Sequence, residues 1–130
     1  MNSQKASITD GFLRKRNDFE RVKRRGQRYQ TPLFNLVSHQ SALPLSRVGI
    51  VVGRRLGKAV IRNRAKRIFR ELVRHTRTQL VNGRDIIVFP KRKALSTKHQ
   101  TLKETWRSAL HHEGLLLSLV FPSCSPSASG

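Results

Sequence analysis

Hydrophobic positions in the first half of the chain change their spacing twice. Phe19 and Val22 are apolar residues three apart within a polar stretch, which predicts a first helix over 16–25. Two runs of mainly apolar residues follow at 33–37 and 47–52, and each predicts a strand. The second run is rich in β-branched residues, so it is the stronger of the two signals.

Helix and strand patterns alternate in the second half. After Gly57 the apolar spacing becomes helical over 59–76, and residues 85–89 then predict a third strand. Thr97 and Gln100 have the spacing of a capping box, which opens a last helix. One side of that helix is apolar and is expected to pack in the core; it carries Leu102, Trp106, Ala109 and Leu110.

The order helix, strand, strand, helix, strand, helix predicts an α+β fold, a two-layer α/β sandwich with a small mixed sheet. Its strand–helix–strand unit requires a parallel pairing or a longer crossover. We expect one domain over 12–121, between a mobile N-terminal segment at 1–11 and a disordered Ser/Pro-rich tail at 122–130. Residues 115–121 are compatible with an added edge strand, a helix extension or an apolar tail.

Charge restricts the function more than length does. The chain has 27 Lys and Arg residues against 7 Asp and Glu residues, a formal net charge of +20. This excess repels itself in the folded state unless a polyanion neutralises it, and nucleic acid is the leading candidate. A membrane is disfavoured, because no apolar run approaches the roughly 20 residues of a transmembrane helix. With no apolar targeting segment near the N-terminus and a single cysteine, the expected location is the cytoplasm.

The basic residues concentrate between residues 47 and 77, where eleven Lys or Arg residues accompany one acid, Glu71. On a helical projection the apolar positions occupy one sector: Ile61, Ala65, Ile68, Phe69 and Leu72. The opposite side carries Asn63, Lys66, Arg67, Arg70 and Arg74, with Arg62 and Arg64 flanking it. A solvated helix normally interleaves acids among its bases. The pattern therefore favours RNA or DNA binding over an ordinary charged surface.

Protein-based catalysis is not expected. The segment 53–59 has one residue too few between its glycines for a phosphate-binding P-loop and lacks the Ser or Thr after the lysine. The histidines lack partners at zinc-ligand spacing, and the seven acids are too dispersed to hold metal ions for phosphoryl chemistry. We therefore expect no catalytic residue, no metal site and no small-molecule ligand in the protein alone.

The motif RNRAKR at 62–67, followed by Arg70, resembles the "RNR" signature of the bacterial ribonuclease P protein subunit. The strand at 47–50, the basic linker at 54–59 and the Asp18-Phe19 pair also fit that family, as does the strand at 85–88. The resemblance covers about residues 12–114. It implies an αβ sandwich with a left-handed crossover around the RNR helix, although the general rule favours a right-handed one.

The resemblance also implies a function. Ribonuclease P removes the 5′ leader of precursor tRNA, and its RNA subunit carries the catalysis with Mg²⁺. The expected partners are that catalytic RNA and precursor tRNA. The residues expected against the catalytic RNA are those of the RNR helix, Arg62, Asn63, Arg64, Lys66, Arg67, Arg70 and Arg74, and those of the basic linker, Arg54, Arg55 and Lys58.

A cleft between the first helix and the sheet is implied to hold the single-stranded leader. Phe19 matches the aromatic residue of that cleft. Some relatives have a second aromatic one helical turn later, where this chain has Lys23. The sheet position that faces the cleft is expected at Phe34 or Leu36.

Two other classes of function fit the composition. A general basic RNA chaperone or small ribosomal protein would have the same charge, and only the RNR segment in its strand–helix–strand setting argues against it. A DNA-binding regulator is disfavoured, because the chain has no readable helix-turn-helix or zinc module.

Overall fold

The computed structural model describes residues 12–13, 15–41 and 45–117. This part of the chain forms three α-helices and four strands. In chain order they are α1 (Arg16–Arg25), β1 (Gln27–Gln30), β2 (Phe34–Gln40), β3 (Arg47–Ile50), α2 (Ala59–Thr76), β4 (Arg84–Pro90) and α3 (His99–His112). The predicted segments at 1–11 and 122–130 lie outside the described residues.

The four strands form one mixed sheet in the order β1-β2-β4-β3. The β1–β2 and β2–β4 pairs are antiparallel, whereas β3 and β4 are parallel neighbours joined through α2. This confirms the α+β class and the parallel pairing that the strand–helix–strand unit requires. The left hand of the crossover, which the resemblance implies, stays a prediction.

The larger core lies between the sheet and the helices α2 and α3. Phe34, Phe69 and Trp106 meet there edge to face, with ring centroids 5.6 to 6.3 Å apart. The Trp106 indole donates a hydrogen bond of 3.1 Å to Oγ1 of Thr76, which in turn donates to the carbonyl of Leu72. The expected core role of Trp106 is confirmed, because only 1% of the residue is exposed.

Helix α1 covers the other face of the sheet. Val22 is its buried anchor and packs with Leu13, Val37 and Ile87. Helices therefore lie on both faces of the sheet, so the arrangement has three layers and not the predicted two. Helix α1 is separated from α2 by the full thickness of the strands. Each face consequently presents its own surface to solvent.

Three local features differ from the expectations. Strand β1 was not predicted, because Gln27–Gln30 is a polar edge strand held by its pairing with β2. Strand β2 continues to Gln40, since its last three residues pair with β4 although they are polar. The capping box is wrong: α3 begins after Lys98, and the Thr97 hydroxyl donates instead to the carbonyl of Lys93.

The chain beyond α3 pairs with the segment that connects α2 to β4. Leu116 forms an isolated antiparallel bridge with Leu80, and Val81 donates a 2.8 Å hydrogen bond to the carbonyl of Leu115. Leu115 and Leu116 are both buried. Residues 115–117 thus pair antiparallel with residues 79–81. Residues 118–121 lie outside the described part.

Candidate nucleic-acid interface

Helix α2 separates its apolar and basic residues as its sequence predicts. Ala65, Phe69 and Leu72 are buried against the core, while Ile61 and Ile68 are half-buried. The opposite side, here called the RNR face, consists of Asn63, Arg64, Lys66, Arg67, Arg70 and Arg74. All of these are exposed except Lys66, which is half-buried. Arg62, at the flank of the helix, is also half-buried. The helix therefore carries a row of cations on a rigid, well-packed support.

Two neighbouring cavities follow this row. One, of about 390 Å³, lies between α2 and the edge of the sheet and is lined by Phe12, Leu13, Ile50, Lys66, Arg70, Arg74 and Arg77. The other, of about 340 Å³, is lined by Asn63, Lys66, Arg67, Arg70 and Arg74. Lys66, Arg70 and Arg74 are four residues apart and contribute to both. Successive turns of α2 thus line one continuous basic groove.

The cations of the RNR face have few anionic neighbours. Glu71 contacts Arg74 at 3.3 Å and His75 at 3.6 Å, and all three side chains are about half exposed. Among the described residues, no ion pair involves Arg64, Lys66, Arg67 or Arg70. Like charges this close repel one another, so a bound polyanion would lower the energy of this face.

The basic linker lies at the N-terminal end of α2. Arg54 and Arg55 are exposed in a short 3₁₀ turn, and Lys58 is the exposed residue that precedes the first turn of α2. Gly57 between them has φ of 144°, a backbone conformation that favours glycine. The first turn of α2 contains no acidic residue, so its free N–H groups and Lys58 together favour an anion.

A second surface lies where α1 crosses the sheet. The ring of Phe19 lies over Gly49 of β3 and is half-buried. Lys23, one turn later on α1, is also half-buried. The structure thus brings both α1 residues of the expected cleft to the same side of the helix.

The expected sheet residues of that cleft are wrong. Phe34 and Leu36 are 0% and 1% exposed and belong to the core under α2 and α3, on the opposite face from α1. Side chains alternate along a strand, so the residue between them, Asn35, points toward α1 together with Val37. The register across the preceding loop decides which set faces the cleft, and it is shifted by one residue from the expectation.

The residues that do share this face with Phe19 were missed. Val51 and Phe89 are half-buried and pack against the buried residues under α1. Asn35 pairs with Phe89 across β2 and β4. We call Phe19, Lys23, Asn35, Val51 and Phe89 the α1 surface. The signal in the sequence is the strict alternation along β4, where Ile87 and Phe89 face α1 while Ile86 and Val88 face the larger core.

An ionic network fixes α1 on the sheet. The Arg47 guanidinium lies between the carboxylates of Asp85 and Asp18, at 3.0 and 3.2 Å, and Arg21 donates to Asp18 at 2.8 Å. Burial is the largest influence on the pKa of Arg47 and acts to lower it. The hydrogen bonds and charge of Asp85, followed by those of Asp18, outweigh burial, so the pKa is raised above its ordinary value. Asp18 and Asp85, two of the chain's seven acidic residues, therefore have structural roles.

Neither a metal centre nor a membrane span is found in the described part of the chain. No group of three or more His, Cys, Asp or Glu residues there is arranged to hold a metal ion. None of the helices there is long and apolar enough to cross a bilayer.

Comparison with known proteins decides the family. The family model for ribonuclease P matches residues 9–113, which include α1, the whole sheet, α2 and α3. This chain belongs to the ribonuclease P protein family. The ribonuclease P protein component of Thermotoga petrophila is 40% identical over 81 residues, covering 62% of this chain and 69% of the relative. That of Syntrophobacter fumaroxidans is 40% identical over 105 residues, covering 78% and 87%.

Solved structures agree with this assignment. The ribonuclease P protein of Thermotoga maritima superposes with a TM-score of 0.69 at 33% identity, covering 76% of this chain and 94% of that one. A Staphylococcus aureus ribonuclease P protein mutant gives a TM-score of 0.76 over 89% of this chain, and at 24% identity it supports the fold alone. As a ribonuclease P protein component, the chain works in tRNA 5′ processing, within a holoenzyme that includes an RNA partner.

Proposed function

We propose that this protein binds the catalytic RNA of ribonuclease P through the RNR face and the basic linker, and that it holds the 5′ leader of precursor tRNA on the α1 surface. The observation that carries the proposal is the set of four cations on α2 without acidic partners in the described structure, beside a basic groove. Arginine suits such a contact, because its planar guanidinium can bind two phosphate oxygens at once.

The α1 surface has the composition expected for single-stranded RNA. Phe19 and Phe89 offer aromatic rings on which any base can stack, and Lys23 offers a charge for the backbone. The two surfaces lie on opposite faces of the sheet, so one protein can contact the catalytic RNA and the substrate leader at the same time. Such a bridge would also screen the repulsion between the two RNAs.

The catalysis itself is assigned to the RNA subunit. Asp18 and Asp85 are engaged by arginines, and Glu71 by Arg74 and His75, so these carboxylates serve structural roles. Magnesium would be bound chiefly by the RNA, where phosphate oxygens are abundant. The protein would promote leader removal by positioning and charge neutralisation. We keep the cytoplasm as the proposed location of this activity.

The proposal is tested by reconstitution. A bacterial ribonuclease P RNA cleaves a precursor tRNA at low magnesium concentration, with the protein, without it, and with the protein alone. We expect 5′ cleavage that requires the RNA and is strongly stimulated by the protein. Tight RNA binding without stimulation would instead favour a general RNA chaperone, and cleavage by the protein alone would refute the division of roles.

A further inference from the structure

Two aromatic rings share the sheet face that α1 covers. Phe19 lies over Gly49, whose partner in the parallel pair is Ile87. Phe89 follows two residues later on β4, a displacement of about 7 Å along the strand. Both rings are half-buried against the cluster of Leu13, Val22, Val37 and Ile87. Their outer surfaces are thus available side by side on one rigid support.

An unsatisfied amide lies next to the second ring. Asn35 is the cross-strand partner of Phe89, so both side chains stand on the same face of the sheet. Its Oδ1 is buried and has no hydrogen-bond partner within the described residues, although the residue as a whole is only half-buried. A buried acceptor without a donor is unfavourable. Rotation about the soft terminal torsion of Asn35 would turn this oxygen outward, toward a ligand.

Positive charge lines the same surface. Arg28 of β1 pairs with Val37 and therefore also points toward α1, and its Nη2 donates a 2.8 Å hydrogen bond to the carbonyl of Lys23. The Lys23 side chain is half-buried one turn after Phe19. Aromatic platforms bordered by cations are the arrangement that binds single-stranded nucleic acid.

We propose that Phe89 and Asn35 form a second base-binding site beside Phe19, in which Phe89 stacks on one RNA base and the Asn35 amide oxygen accepts a hydrogen bond from that base's amino group. The inference rests on the proposed function of the α1 surface as the leader-binding site. Phe89 would supply from the sheet the second stacking ring that α1 lacks at Lys23. Adenine, cytosine and guanine carry an exocyclic amino group, whereas uracil does not, so the site would disfavour uracil.

The test measures binding of precursor tRNA to the reconstituted holoenzyme. Each leader nucleotide is replaced in turn by an abasic one. The wild-type protein should show two sensitive positions, each losing about 10-fold or more in affinity. Phe89→Leu should remove the sensitivity at one position and Phe19→Leu at the other, while Phe89→Tyr should preserve both. Binding of mature tRNA, which has no leader, should be the same for all variants and serves as the folding control.

Base identity tests the role of Asn35. Uracil at the position assigned to Phe89 should bind several-fold more weakly than adenine or cytosine with the wild-type protein, and Asn35→Ala should abolish this difference. If Phe89→Leu left the sensitivity to abasic nucleotides unchanged at every position, the second base-binding site would be overturned. The proposal that the α1 surface binds the leader would not be affected by that result. If the wild-type holoenzyme bound precursor and mature tRNA equally, the proposed role of the α1 surface would fail as well.

Discussion

Arg47 binds both carboxylate oxygens of Asp85, with Nε 3.0 Å from Oδ1 and Nη2 3.0 Å from Oδ2. Arg47 is 8% exposed and Asp85 is 0% exposed, and Nη1 of the same guanidinium reaches Asp18 of α1. One arginine therefore joins β3, β4 and α1. The α1 surface depends on this junction, because it sets the position of the helix that carries Phe19.

Removal of one partner of this pair should destabilise the protein strongly. Arg47→Met leaves the buried Asp85 carboxylate without its main partner, and we expect a loss of about 3–5 kcal/mol in the free energy of unfolding. The double variant Arg47→Met/Asp85→Leu should recover part of this loss. Urea denaturation measures both. Arg74→Ala, which breaks an exposed pair with Glu71, is the control and should change stability by less than about 1 kcal/mol.

The contribution of Arg47 to the free energy of unfolding should not vary with pH near neutrality. A raised pKa means that its stabilisation is complete below the ordinary arginine pKa and is lost only as the pH rises through the still higher value in the folded state. The double variant Arg47→Met/Asp85→Leu leaves no unpaired buried carboxylate, so its stability difference from the wild type should be equal at roughly pH 6 and pH 9. A clear change across this interval would indicate that another group controls the network.

Gly49 should be required for the position of Phe19. A Cβ on Gly49 would lie 2.6 Å from Cζ of the Phe19 ring and closer still to Cε1, so Gly49→Ala must displace the ring. We expect a loss of stability of about 1–3 kcal/mol and weaker discrimination between precursor and mature tRNA. Gly53→Ala is the matched control, because a Cβ there would have no neighbour within 4 Å. Equal behaviour of the two variants would contradict the contact.

The Trp106–Thr76 hydrogen bond should stabilise the larger core. Thr76→Val leaves the buried indole N–H without an acceptor, which should cost about 1–3 kcal/mol in unfolding free energy. Thr105→Val serves as the control, because the Thr105 hydroxyl donates only to the carbonyl of Thr101 within its own helix. Thermal or urea unfolding of both variants gives the comparison, and no loss in Thr76→Val would show that the bond contributes nothing.

Salt dependence should report on the RNR face. Replacement of Arg64 and Arg67 with Ala should weaken binding to the catalytic RNA and reduce the slope of log affinity against log salt by roughly one or two counterions. Lys98, which immediately precedes α3, and Lys103 on α3 lie outside both proposed surfaces and supply a control variant with the same loss of charge. Equal slopes for the two double variants would mean that binding follows net charge and not this face.

The sequence predicts those elements whose pattern of apolar and polar residues is compatible with a single structure. Helix α2 is amphipathic apart from the exposed Val60 in its first turn, so its limits and its two faces follow from the spacing of its apolar residues. Residues 34–37 are different: Phe34, Leu36 and Val37 are all buried, on two different faces, so hydrophobicity alone does not reveal which of them faces α1. Strand β1 is not predictable from the sequence, because Gln27–Gln30 has no apolar pattern. Its pairing with β2 holds it in place.

Cleavage at limiting protein concentration tests the central claim most directly. A bacterial ribonuclease P RNA and a precursor tRNA are combined at low magnesium with the wild-type protein, with Arg64→Ala/Arg67→Ala, or with Lys98→Ala/Lys103→Ala. We predict that the wild type and the double lysine variant stimulate 5′ cleavage to similar extents. The double arginine variant should need a considerably higher protein concentration to do so. Similar stimulation by the wild-type protein and both variants would contradict the assignment of the RNR face to the catalytic RNA.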